Sequence, residues 1–238
     1  VNEGFAILIC TMSLILLLPI LSKELNYKAG HEAQLYKNRL TFNELVLGIR
    51  QSMFNPSAFA AIIFMLFANI GYGIFDVIYN EFYIKELGWN GEEIGHMRPY
   101  GMWLGGLIGL SAGLMTLYFR KRSLLLFFVI GQAVVFLTAS TLSYETSILL
   151  TSAVLIGVDA VDAGWSVLIF SILMALCITQ TSATNFGIFM GFGNISMLIG
   201  NNIAPAILGP GDFTFAFIFT ALTLIPCLIS GYYLTKET

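Results

Sequence analysis

Residues 155–170 read LIGVDAVDAGWSVLIF, an apolar run that two aspartates interrupt. Asp159 and Asp162 are the only charged residues between Ile148 and Ile178. Inserting an aspartate at the centre of a membrane-spanning helix costs about 2.5–3.5 kcal/mol. Two acids inside an otherwise apolar segment therefore need a structural or a functional reason.

The composition of the whole chain indicates a membrane protein. Its 238 residues are 57% hydrophobic and 11% charged, whereas soluble domains typically carry about 25% charged residues. The three cysteines lie in apolar runs and show no metal-ligand spacing, so they indicate no metal site. We expect no metal, no cofactor and no nucleic-acid partner, but contact with a lipid bilayer.

Seven segments are long and apolar enough to cross a hydrocarbon layer of about 30 Å, which takes about 20 helical residues. A spanning segment must be helical, because its backbone polar groups find no partners in lipid. The segments are Phe5–Leu21, Phe59–Tyr79, Met97–Phe119, Leu124–Leu142, Ile148–Ile178, Thr184–Leu208 and Phe213–Leu234. The sequence therefore predicts an all-α membrane protein with seven transmembrane helices.

Lys and Arg collect on one side of this predicted bundle. Nine of the eleven follow the first, third or seventh segment: Lys23, Lys28, Lys37, Arg39, Arg50, Arg120, Lys121, Arg122 and Lys236. The opposite side carries only Lys85 and Arg98. Because basic loops stay in the cytoplasm, the long connection and the C-terminus are expected to be cytoplasmic.

The connection after the first segment is much longer than the others and contains a predicted amphipathic helix. Residues 41–44 read TFNE, a capping box followed by apolar residues at helical spacing. A solvated linker is the alternative. We expect three parts: 1–21, the last helix of an N-terminal half; 22–57, a cytoplasmic central loop; and 58–238, a six-helix bundle.

This layout matches a twelve-helix transporter, made of two six-helix halves, that has been cut before its sixth helix. The chain is thus expected to be partial, as a fragment of a longer protein, a split gene or a degraded gene. The site of such a transporter lies between its halves. An N-terminal half would then be required for a complete site.

Four polar residues share one predicted face of the second segment: Asn69, Tyr72, Asp76 and Asn80. A polar stripe that contains a carboxylate typically lines a cavity. Alternatively, Asp76 lies close enough to the outer end of the helix to be wet.

Asp159 and Asp162 share a face of the fifth segment because they are three residues apart. No Lys or Arg is expected in a helical interior, so one of the two acids should hold a proton. The pair then predicts a proton-coupling or substrate site, with hydrogen bonding to a neighbouring helix as the alternative. Arg98, at the start of the third segment, either snorkels to the interface or pairs with Glu81, Asp76 or an anionic substrate.

Two further patterns predict pathway lining and helix packing. A stripe along and just before the sixth segment suggests hydrogen bonds to a polar ligand or across a helix pair; it comprises Gln180, Thr184, Asn194 and Asn201. A four-fold small-residue series in the third segment predicts close packing, with sliding as a further use; it comprises Gly101, Gly105, Gly109 and Gly113.

Three stretches carry a family resemblance: GYGIFDVIYNEFYIKELGWNGEEIG at Gly71–Gly95, FRKRSLLLFFVIGQ at Phe119–Gln132 and LMALCITQTSATNFGIFMGF at Leu173–Phe192. Together they resemble the C-terminal half of the AmpG-like muropeptide permeases, in the peptide/acetyl-coenzyme A transporter branch of the major facilitator superfamily. The resemblance includes the aspartate at Asp76, and it departs at DAVDAGW in the fifth segment.

This resemblance implies a proton-driven importer of anhydro-muropeptides in the bacterial inner membrane, a symporter of a small solute and protons. A transporter of acetyl-coenzyme A or another small solute is the competing assignment. We expect no enzyme, because the chain has no H-E-x-x-H, G-x-S-x-G or P-loop motif. A seven-helix receptor or sensor is the alternative from another class.

Overall fold

The structure, a computed structural model, describes residue 50 and residues 54–177, 182–209 and 212–237. The predicted first span, Phe5–Leu21, lies outside these residues. So do almost all of the predicted central loop, 22–57, and the predicted pathway residue Gln180. The described residues belong to one unit, Gly48–Thr238.

Every secondary-structure element in the described part of the chain is an α-helix. The helices are α1 (Pro56–Ala68), α2 (Ile70–Lys85), α3 (Gly91–Tyr118), α4 (Lys121–Ala139), α5 (Ile148–Leu176), α6 (Ser182–Leu208), α7 (Phe213–Leu222) and α8 (Leu224–Glu237). They form five stretches that are long and apolar enough to cross a membrane: Pro56–Lys85, Gly91–Tyr118, Lys121–Ala139, Ile148–Leu176 and Phe213–Thr235. The prediction of an all-helical membrane protein is confirmed at this level.

Helix α6 has the length of a membrane span but is not among these five apolar stretches. Its 27 residues are more than the roughly 20 that a bilayer requires, and it carries no charged residue. Its polar content comes mainly from four amides, Asn185, Asn194, Asn201 and Asn202. These amides explain why α6 is not among the five apolar spans.

Two of the predicted spans are each interrupted at a single residue. Asn69, with φ −118° and ψ 6°, separates α1 from α2, and Thr223 separates α7 from α8. At the first break, Trp165 Nε1 donates to the Ala68 carbonyl at 3.2 Å. The Asn69 amide donates to Ser196 Oγ at 3.0 Å. Neighbouring helices thus satisfy backbone groups that an interruption inside a membrane leaves unpaired.

The turn between α2 and α3 sets where α3 begins. Gly88 has φ +72°, a left-handed conformation that favours glycine. The Trp89 amide then donates back to the Tyr83 carbonyl at 2.9 Å and closes the end of α2. Asn90 and Glu93 form a capping box, with both hydrogen bonds at 2.8 Å. Helix α3 therefore starts at Gly91, before the apolar segment predicted from Met97.

The most extensive helix pairings join α3 with α5 and α2 with α6. In the second pair the backbones touch: a Cβ built on Gly200 would overlap the Ile70 carbonyl and lie 3.1 Å from the Gly73 Cα. Asn201, with its amide nitrogen as the donor, reaches the Gly73 carbonyl at 2.8 Å and the Met197 carbonyl at 3.2 Å. Small residues and one amide therefore fix this helix pair.

We predict that Gly200→Ala lowers the thermal midpoint of the purified protein in detergent, since the added methyl group separates α6 from α2. Overpacking of this kind costs roughly 1–3 kcal/mol. The matched control is Gly191→Ala on the same helix, where a Cβ meets nothing within 4 Å. Equal midpoints for the two variants would show that the α2–α6 contact is not tight.

Candidate functional site

Arg98 lies inside a spanning helix, about two turns after α3 begins at Gly91. Its guanidinium reaches two carboxylates: Nη2 lies 3.1 Å from Asp76 Oδ1 on α2, and Nε lies 3.6 Å from Asp159 Oδ2 on α5. Nη1 donates to the Tyr79 hydroxyl, and the guanidinium carbon lies 4.4 Å above the Tyr79 ring centroid. Arg98 thus ties α3 to both α2 and α5.

The expectation that no basic side chain neutralises the two aspartates is wrong for Asp159. The capping box begins α3 at Gly91, so Arg98 lies about two turns inside the helix instead of at its start. Of the partners proposed for Arg98, the structure places Asp76 within ion-pair distance. Glu81 instead pairs with Lys85, one helical turn away.

The Arg98–Asp159 ion pair is buried and loosely held. The Asp159 side chain retains 10% of its accessible surface and that of Arg98 27%. A nitrogen–oxygen distance of 3.6 Å is too long for a hydrogen bond, and neither Nε nor Oδ2 makes one with the described residues. Two buried groups of opposite charge therefore face each other without a full hydrogen bond.

The glycine series of α3 is what lets Asp159 approach so closely. A Cβ built on Gly101 would lie 2.9 Å from Asp159 Oδ2, and one on Gly105 would lie 3.2 Å from the Asp159 carbonyl oxygen. Further along, Gly109 and Gly113 face Val167 at 3.4 and 3.7 Å. The structure thus packs all four glycines against one face of α5, next to the ion pair.

Asp162 has a different kind of partner from its neighbour. Gln132 Nε2 on α4 donates to Asp162 Oδ1 at 3.4 Å, and Gln132 is buried with 5% exposure. Among the described residues, no Lys or Arg lies within ion-pair distance of Asp162. Of the two acids in residues 155–170, Asp159 is therefore paired with a cation and Asp162 with a neutral amide.

A cavity of about 480 Å³ joins these groups. Its polar lining comes from Tyr72, Arg98, Asp159 and Asp162, and Gly105 is among the glycines that line it. The Tyr72 hydroxyl donates to Asp159 Oδ1 at 3.4 Å. The cavity therefore holds a cation, carboxylates and a phenol within an apolar helical bundle, where a polar or ionic solute can bind.

The other predicted pathway residues lie away from this cavity. Asn69 is at the break before α2 and donates from Nδ2 to the Gly193 carbonyl at 3.4 Å, while Asn201 bonds to α2. Asn201 thus takes the helix-pair role that was the alternative for the stripe of the sixth segment, and Asn69 also bonds to a neighbouring helix instead of lining the cavity. Asn80, Thr184 and Asn194 are exposed and do not line the cavity.

Sequence reasoning missed Tyr79 and Gln132. Tyr79 stacks on Phe75 with ring centroids 5.6 Å apart, and this stacking places its hydroxyl beside Arg98. Gln132 is the one amide in the apolar helix α4. The reasoning applied to the amides of α6, that an amide among apolar residues needs a partner, would have singled it out.

No protein-family model, curated protein or solved structure matches the chain, so the cavity itself carries the functional information. In the part of the chain that the structure describes, no group of three or more His, Cys, Asp or Glu side chains is placed to hold a metal ion. The residues that line the cavity can bind ions, form hydrogen bonds and transfer protons.

We predict that Arg98→Met destabilises the protein strongly and that adding Asp159→Asn recovers part of the loss. Removing one partner of a buried ion pair costs about 3–5 kcal/mol, mainly because the other charge is left uncompensated. The partial exposure of Arg98 places the loss at the lower end. Thermal midpoints of the wild type, both single variants and the double variant give the coupling between the two residues.

Lys85→Met is the control for this cycle, because the Lys85–Glu81 pair is exposed and contributes at most about 1 kcal/mol. Additive effects of Arg98→Met and Asp159→Asn would mean that the two charges do not stabilise each other.

Proposed function

We propose that this chain forms a solute-translocating bundle of a proton-coupled secondary transporter. The observation that carries the proposal is the placement of Arg98 among Asp76, Asp159 and Asp162 beside a cavity in an apolar helical bundle. Ionisable residues inside membrane-spanning helices are costly, and they typically mark substrate, ion or proton pathways.

Stability alone does not account for this cluster. A buried ion pair is often no more stabilising than apolar side chains of similar volume. Packing could be achieved with Leu or Val at the same positions, and the Gly101–Asp159 contact would then not need such a close approach. A charged cavity between helices that meet through glycines fits a site that binds a solute and changes shape.

At the finer level, we propose the C-terminal half of a major-facilitator transporter, with α6 as its additional span. The length of α6 and its lack of charged residues support this assignment. Exposing Arg98 and three carboxylates to lipid would cost much free energy. We therefore propose that a second helical bundle covers the cavity. The charge distribution along the chain supports a cytoplasmic location for the basic loops.

For the solute, we propose an anhydro-muropeptide taken up across the bacterial inner membrane. The support is the resemblance of Gly71–Gly95, Phe119–Gln132 and Leu173–Phe192 to the AmpG-like permeases, together with one arginine that can hold one solute carboxylate. The cluster sets one cation against three carboxyl groups. That balance disfavours acetyl-coenzyme A, which carries several phosphate charges.

In this mechanism Arg98 holds the anionic end of the solute, and the carboxylates couple its movement to protons. The α3–α5 contact, in which glycines meet Asp159, Ala163 and Val167, allows the two helices to shift against each other as access alternates. Protonation of a carboxylate changes the charge of the cavity and thereby the free energy of solute binding. Solute affinity therefore differs between the acidic side and the less acidic side of the membrane.

We predict that proteoliposomes containing the complete protein accumulate labelled anhydro-muropeptide when the outside is more acidic, and that a protonophore abolishes accumulation. Asp159→Asn and Asp162→Asn should each lower gradient-driven uptake at least about tenfold, since each removes a charge that the cycle requires. Glu145→Gln, an exposed acid outside the cavity, is the control and should behave as wild type.

Unchanged uptake and unchanged pH dependence in both aspartate variants would contradict proton coupling at this site. Tight binding of the muropeptide without any flux would instead favour a receptor or sensor.

A further inference from the structure

We infer that Asp162, positioned by Gln132, is the carboxyl group of the cavity that takes up and releases the proton, while Asp76 and Asp159 remain ionised. This assignment rests on the proposed transport function and adds one defined proton site to it. It also gives Gln132 a role in proton transfer that its position in an otherwise apolar stretch of α4 does not suggest.

The partners of Asp76 and Asp159 favour the charged form of a carboxylate. A guanidinium has five N–H donors and no acceptor, so it attracts a carboxylate strongly and cannot accept the O–H of a protonated acid. Arg98 lies 3.1 Å from Asp76 and 3.6 Å from Asp159. The Tyr72 hydroxyl adds a donor to Asp159. Protonating either acid would therefore leave the single cation of the cluster with a weaker partner.

The partner of Asp162 fits both forms of the acid. The Gln132 amide has two N–H donors on one atom and an acceptor oxygen on the other. Its nitrogen donates to the carboxylate, at the observed 3.4 Å. When Asp162 gains a proton, a half-turn of the amide brings its oxygen to accept the new O–H. In this step the O–H bond of Asp162 forms as a hydronium ion in the cavity loses its proton and becomes water, and release of the proton is the reverse.

The charges around Asp162 favour a neutral form that is accessible during the cycle. Asp159 on its own helix, Tyr72 on α2 and Arg98 on α3 line the cavity together with Asp162, and Asp76 on α2 pairs with Arg98. Helix α4 contributes the neutral Gln132. Neither α1 nor α6 contains an ionisable side chain. Two carboxylates thus share one cation, and a third charge at Asp162 adds repulsion without a counter-charge.

Burial explains why this exchange is confined to one place. Gln132 is 5% exposed, so water cannot replace its amide as the hydrogen-bond partner on the α4 side. Asp162 also lines the cavity, from which a proton can arrive. The carboxyl group therefore faces the cavity on one side, where protons can exchange, and the buried Gln132 on the other side, which holds its orientation.

The test is infrared difference spectroscopy of the purified protein in lipid bilayers, recorded between acid and alkaline pH without any solute. The wild type should show a C=O stretching band of a protonated carboxyl group that disappears as the pH rises. The band should be lost in Asp162→Asn and retained in Asp159→Asn. Retention of the band in Asp162→Asn, or its loss only in Asp159→Asn, would overturn the assignment.

Gln132→Leu tests the positioning residue. Both forms of Asp162 lose a hydrogen bond, but the bond to the charged form is the stronger one, so the titration midpoint of the band should move to higher pH by roughly one unit. The band should also shift to higher frequency, since the acid O–H loses its acceptor. Thr138→Val on the same helix, whose hydroxyl bonds to its own backbone, should change neither property.

An unchanged midpoint and frequency in Gln132→Leu would remove Gln132 from the proton site. The comparison of the two aspartate variants decides the proton site even when Gln132→Leu does not fold. Because no solute is added, this experiment can fail while muropeptide uptake succeeds, or succeed while uptake fails. The proton site and the transport function are thus tested separately.

Discussion

A guanidinium inside an apolar helix must be neutralised and hydrogen-bonded, and the arrangement of α2, α3 and α5 follows from how Arg98 meets that requirement. Asp76 and Asp159 supply the counter-charge from two helices, and Tyr79 supplies a hydroxyl and a ring face. The contact with Asp159 is possible only because Gly101 has no side chain at the point where α3 crosses α5. Charge and packing therefore depend on each other at this crossing.

The remaining helices give the cluster a fixed frame. Helix α6 is held against α2 by Gly200 and Asn201, and Trp165 on α5 donates to the backbone break before α2. Polar groups in these helices thus serve mainly as contacts between helices, as is common where lipid offers no hydrophobic driving force. The cavity beside Arg98 differs, because its carboxylates exceed the cation that is available to them. That excess is the basis for the proton exchange that we propose at Asp162.

Much of the fold could be predicted from the sequence, because length and apolarity alone define helices that cross a membrane. The position of Arg98 could not be predicted in this way. The apolar pattern begins at Met97, whereas the capping box of Asn90 and Glu93 starts the helix earlier and brings Arg98 inside. Spacing put Asn69 on one face with Tyr72 and Asp76, but it could not show that Asn69 leaves α2 to bond with α6. The role of Gln132 depends on a contact between residues 30 positions apart, which periodicity within one helix does not contain.

Both the proposed transport and the proposed proton site require that water reaches the Arg98 cavity although its helices cross a membrane. Cysteine accessibility in lipid nanodiscs tests it most directly, with the native Cys10, Cys177 and Cys227 replaced by alanine. Met102 on α3 lines the cavity, whereas Leu107 on the same helix is exposed without lining it. A water-soluble maleimide reacts with thiolates, which form only where water reaches. We expect labelling of Met102→Cys at least about tenfold faster than that of Leu107→Cys, and equal rates for the two variants would contradict a water-filled cavity.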